Sequence, residues 1–107
     1  MAIRKWTLTL VRGALIPKRF YWLKAKDTPY DISGGVAALR VKPEGQDEFE
    51  VGSPIVEITD GPAGEITIAF DEATVDGYSF ERAEIALQVD SKILQTGRMR
   101  IRNFYDG

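Results

Sequence analysis

The stretch KILQTGRMRIRN, residues 92–103, alternates through its second half: Arg98, Arg100 and Arg102 fall on one side, Met99 and Ile101 on the other. A two-residue period is the pleat of a β-strand with one face in a core and one in water. It does not fit the 3.6-residue period of a helix. Gly97 inside this run reads as a bulge.

The same period recurs along the chain. YSFERAEIALQV (78–89) turns Ile85, Leu87 and Val89 inward and is joined to the last strand by a tight reversal at Asp90-Ser91. In EITIAF (65–70), Ile66, Ile68 and Phe70 point in, and in KWTLTLV (5–11) Trp6, Leu8 and Leu10 alternate with Lys5, Thr7 and Thr9. VAALRVK (36–42) sets Ala37, Leu39 and Val41 against Val36, Ala38, Arg40 and Lys42, and Pro43 ends it. PKRFYWLKAK (17–26) is apolar on both faces, Phe20 and Trp22 against Tyr21 and Leu23, which suggests an interior or covered strand, while Pro17 restricts its start to an edge or a pre-strand turn. SPIVEITD (53–60) carries Pro54, which confines it to a sheet edge.

Turn chemistry separates these runs. Asp31 and Ser33 can bond nearby backbone N–H groups, and Gly34-Gly35 allow positive φ before the strand at Val36. Gly61-Pro62-Ala63-Gly64 is a turn, and DEATVDG (71–77) is one helical turn with Asp71 as its cap. EGQDEFEVG (44–52) is acidic and reads as a loop or ragged edge around Phe49. Together these give about seven strands in one domain spanning residues 1–107, with no long helix. The expected fold is all-β, an immunoglobulin-like antiparallel β-sandwich. The turn before Tyr78 matches the corner that precedes the sixth strand of such domains, whereas the Cys-Trp-Cys hallmark of a true immunoglobulin domain is missing.

Composition excludes several functions. The chain has neither cysteine nor histidine, which removes disulfides, thiolate metal sites, the usual general base and the usual pH switch. Lack of cysteine favours assembly in a reducing cytosol. A formal net charge of −2 is not the basic excess of a nucleic-acid binder. No signal peptide, membrane-length apolar run or myristoylation glycine is read at the start or elsewhere. Phosphate-binding loops and nucleophile elbows are lacking, so no enzyme, cofactor or small-molecule substrate is expected.

Five features occur in one order: Arg12-Gly13 closing the first strand; the aromatic run Phe20–Leu23; Tyr30-Asp31-Ile32-Ser33-Gly34 before a strand with Ala37 and Arg40; Ile66-Thr67-Ile68, Phe70, Thr74 and Gly77-Tyr78; and Leu94 with Thr96-Gly97-Arg98-Met99-Arg100-Ile101. This order resembles the small immunoglobulin-like domains of tailed-bacteriophage virion proteins, in particular the N-terminal domain of baseplate upper proteins. The resemblance covers nearly the whole chain. It implies a structural subunit located in the virion after assembly in the host cytoplasm, with other virion proteins and copies of itself as partners. Those proteins usually continue into helical or receptor-binding regions, while this chain stops at Gly107, which implies a stand-alone subunit or adaptor. No catalytic residue is carried over.

The interface residues expected from this reading are Arg98, Arg100, Arg102, Phe49 and Tyr105. The arginine stripe is either a docking surface for carboxylates or the outward charge of a protected edge strand; nucleic acid is a third reading, for which three arginines in a net-acidic domain make a weak footprint. The acidic run Glu44, Asp47, Glu48 and Glu50 is either a solvated loop or the complement of that stripe on the next copy. Asp71, Glu72 and Asp76 miss the calcium-loop pattern and read as cap chemistry. Trp6, Phe20, Tyr21, Trp22 and Tyr30 belong to the core, or else form the platform of a carbohydrate- or cell-surface-binding module, the alternative function.

Overall fold

The computed structural model describes residues 5–25, 28–90 and 92–103. It is an all-β sandwich. Along the chain the elements are β1 (Lys5–Arg12), β2 (Lys18–Tyr21), β3 (Leu23–Ala25), β4 (Thr28–Pro29), β5 (Ala37–Pro43), β6 (Phe49–Val51), β7 (Val56–Asp60), β8 (Glu65–Ile68), α1 (Glu72–Asp76), β9 (Arg82–Val89) and β10 (Lys92–Asn103). One sheet has the order β1-β10-β9-β5-β6, the other β2-β8-β7, and β3 and β4 form a small hairpin. With β5, β9 and β10 in one layer and β2, β8 and β7 in the other, the strands divide as the immunoglobulin arrangement divides its C, F, G and B, E, D strands. β6 extends the first layer as the extra strand of the variable type does.

The expected alternation positions the core. Leu8 and Leu10, Leu39 and Val41, Ile85 and Leu87, and Met99 and Ile101 are buried from the larger sheet, facing Val56, Ile66 and Ile68 from the smaller one. Leu39, Val41, Ile66 and Leu87 have no measurable exposure, so truncating Leu39, Ile66 or Leu87 to alanine leaves a cavity and costs about 2–5 kcal/mol. Asp71 caps α1 by accepting from the Thr74 N–H at 2.6 Å, and Asp31 accepts from the Ser33 N–H at 2.9 Å, as their spacings predict.

Five expectations are corrected. The sandwich is not wholly antiparallel: β1 runs parallel to β10 from Lys5 opposite Thr96 to Arg12 opposite Asn103. After β1 the chain turns at Gly13, with φ 87°, and crosses to the other layer before β2, so the strand beside β1 is the last one rather than the next. The aromatic run 17–26 is split at Trp22, whose N–H donates to Gly64 O and whose carbonyl accepts from Tyr30 N–H, both at 2.9 Å. β2 is an edge strand, as Pro17 allowed, and Tyr21 at its end and Leu23 at the start of β3 are exposed rather than covered. The strand expected from Tyr78 begins at Arg82, because Tyr78 and Phe80 stack on each other, with ring centroids 5.0 Å apart. Gly97 is in regular register, and the irregularity falls between Ile93 and Gln95. These splits and the short β6 raise the count from about seven strands to ten among the described residues.

Candidate functional site

β10 presents Arg98, Arg100 and Arg102 to solvent while Met99 and Ile101 enter the core. It is not an edge: β1 covers one side and β9 the other. Charge on an interior strand does not guard free backbone groups, so edge protection does not account for the stripe.

The registers add residues from neighbouring strands. Arg98 stands opposite Thr7 of β1 and Glu84 of β9, and Glu84 stands opposite Lys42 of β5. Arg100 stands opposite Thr9 and, on β9, opposite Arg82. An open groove of about 630 Å³ runs among Lys42, Pro43, Arg82, Glu84, Arg98 and Arg100. Arg82, Lys42 and Glu84 were missed as site residues in the sequence, although the outward parity of Arg82 and Glu84 beside inward Ile85 was a usable signal.

Electrostatically this face is unfinished. Among the described residues, Arg82, Arg98, Arg100 and Arg102 form no ion pair and no side-chain hydrogen bond, whereas Arg40 pairs with Glu48 at 2.8 Å and Arg12 with Asp76 at 3.9 Å. Like charges directly opposite on adjacent strands repel, so the Arg82–Arg100 pair costs stability in the isolated chain. Guanidinium groups that fan out over an open groove suit carboxylates, which they hold bidentately.

The acidic run lies at the margin of this same face. Glu44 lines the groove, and its N–H donates to Arg82 O at 3.3 Å. Lys42 Nζ donates to Gln46 O, and Gln46 Nε2 to Ser79 Oγ at 3.4 Å. The turn is thus tied down beside the stripe rather than loose in solvent.

The other expected residues lie elsewhere. Phe49 turns its ring inward against Tyr78 and Phe80, with centroids 5.4 and 6.1 Å away, and is not part of the arginine face. Tyr105 lies outside the described residues. Trp6, Phe20, Trp22 and Tyr30 are partly buried against the core, and Trp6 and Phe20 pack at 5.7 Å. Each helix-turn carboxylate serves a different protein group: Asp71 the Thr74 N–H, Glu72 the Gly13 N–H at 2.9 Å, and Asp76 the Arg12 guanidinium. Among the described residues no group of three or more acidic side chains is placed to hold a metal ion, and no helix is long and apolar enough to cross a membrane.

The Thr74 hydroxyl and N–H hold the Asp71 carboxyl below its ordinary value. Burial, and then the charge of Asp71, push the Tyr78 phenol up. On β8, hydrogen bonds from Thr59 and Tyr21 lower Glu65, and the same Glu65 bond raises Tyr21.

No protein-family model matches this chain, and no curated protein matches it.

Proposed function

We propose that this chain is a non-enzymatic structural subunit of a bacteriophage particle, a tail, baseplate, neck or capsid-surface component that acts by docking against other proteins. The class rests on the ordered sequence features that resemble those of virion domains. The single structural observation that supports docking is the Arg82–Arg100 opposition on an interior, solvent-facing part of the sheet, with no carboxylate among the described residues bonded to either. Such a face is stabilised when an acidic surface covers it. A sandwich with its core already packed loses little conformational freedom on docking, so each charge-assisted contact counts toward affinity.

The experiment is co-expression with the products of neighbouring genes, followed by mass measurement of the purified assemblies. The chain is expected to be monomeric or weakly associated alone and to enter a larger particle with its partner. Arg100→Glu is expected to abolish that entry; unchanged incorporation would overturn the docking role of the stripe. Binding to glycans is less well supported, since Trp6, Phe20, Trp22 and Tyr30 pack against the core and leave Tyr21 as the exposed ring of that cluster.

A further inference from the structure

We propose that the outer face of the five-stranded sheet pairs with the same face of a second copy, about a twofold axis parallel to the strands and midway between β9 and β5. This rests on the docking reading above and names its partner.

Charge order across the strands carries the inference. At the level of Glu84 the face reads Thr7, Arg98, Glu84, Lys42 from β1 through β5. Continuing one residue beyond the β5–β6 pairing adds Glu48, whose carboxylate accepts at 2.8 Å from Arg40, one row back along β5. One step along the strands the face reads Thr9, Arg100, Arg82 and then Glu44, which is bonded to Arg82 through its backbone.

An isologous interface maps this surface onto itself. The axis between β9 and β5 exchanges those two strands, and it exchanges β10 with β6. Arg98 then meets the second copy's Glu48, Glu84 meets the second copy's Lys42, and Arg82 meets the second copy's Glu44. Every one of these pairs is of opposite sign, and symmetry makes each twice. Arg100 approaches the acidic turn that carries Asp47. An axis running across the strands instead brings Arg98 onto Arg100 or onto itself, so charge selects the parallel axis. The pairing thus adds opposite-sign contacts across the axis to a face whose Arg82–Arg100 opposition is like-charged within one copy.

Size sets the expected strength. Five strands about 4.8 Å apart and some seven residues long present roughly 500 Å² per copy, ~1,000 Å² in total, near the floor for a specific interface. Pairing of this size held largely by exposed charges is weak and screened by salt.

Sedimentation of the full chain from about 5 μM to about 500 μM tests this. The expected behaviour is a monomer–dimer equilibrium, weakened at least tenfold between about 50 mM and about 500 mM salt. Arg82→Glu alone and Glu44→Arg alone are each expected to weaken dimerisation about tenfold or more, because each sets two like-charge contacts across the axis. The double variant is expected to return to within about threefold of the original. Arg82→Glu faces Arg100 in its own chain, so loss of the dimer is not loss of the fold, and a circular-dichroism melt verifies this. A monomer at every concentration, growth past the dimer into rings or tubes, or a double variant that is not rescued overturns the proposal. Incorporation with a different partner would persist in those cases, which separates failure of the dimer from failure of the docking reading.

Discussion

Gly97 stands directly opposite Trp6 in the parallel pairing of β1 with β10, and it does so at a distance that only a glycine permits. A Cβ at Gly97 would fall within contact of the Trp6 carbonyl oxygen and 2.8 Å from Trp6 Cδ1. The first of these atoms is backbone and cannot swing aside. Gly97→Ala is therefore expected to lose about 1–3 kcal/mol by overpacking the β1–β10 seam. Urea unfolding followed by tryptophan fluorescence measures it; a variant as stable as the original would show that the seam can spread at no cost.

Arg12 closes the far end of the same seam. Its guanidinium donates to Asn103 Oδ1 and Tyr78 O, both at 3.2 Å, and approaches Val75 O at 3.5 Å. One side chain thus joins β1, β10 and the corner after α1. Arg12→Ala is expected to cost about 1–3 kcal/mol, and Arg12→Lys to recover little, since an ammonium on a single stem cannot reach three acceptors in a fork. Paired thermal melts decide between them.

Asp71 gives the stability a dependence on pH. Its folded-state value is lowered by the Thr74 hydroxyl and N–H, so its contribution is present above the ordinary carboxylate value and is lost as pH falls through the lowered one. Asp71→Asn is expected to be less stable than the original near neutrality, with the difference shrinking as the medium is acidified below about pH 4. Urea midpoints at several pH values test this; a difference that stays constant with pH removes the carboxylate cap as its cause.

Tyr78 acts at the alkaline end. Its half-buried phenol is raised by desolvation and by Asp71, so the neutral ring contributes stability that is complete below about pH 10 and lost as pH rises through the raised value. Tyr78→Phe is expected to remove one late-ionising component from the phenolate absorbance titration and to flatten the alkaline fall in stability. A titration identical to that of the original chain would contradict the burial argument.

Arg100→Glu separates folding from docking. The new carboxylate faces Arg82, converting a repulsive cross-strand pair into an attractive one. The isolated variant is expected to gain about 0.2–1 kcal/mol, more at low salt than at high, while losing assembly. A variant destabilised at low salt would mean that the two guanidiniums do not repel.

Much of the inward face was legible in the sequence. Leu8, Leu39, Leu87 and Met99 are buried where the alternation puts them, and Asp71 caps where a cap was expected. Errors came where a local rule met a distant partner. Tyr21 and Leu23 looked like the second face of a covered strand, yet β2 ended at an edge. Gly97 looked like a bulge, yet its reason is the backbone of Trp6, ninety-one positions earlier. Arg98, Arg100 and Arg102 form a stripe visible in the sequence alternation, but the charges beside them, Arg82, Glu84 and Lys42, come from strands that no local pattern ties to them.

Sequence by itself determined which side of each strand meets the core, where the chain turns and how the single helical turn begins, because pleat, turn and cap are set by a few consecutive residues. Only the tertiary structure decided that β1 lies parallel to β10, that β10 is interior, and that Arg100 opposes Arg82. Those relationships are matters of register between segments far apart in the chain, and register is fixed by the joint packing of both layers rather than by any one strand.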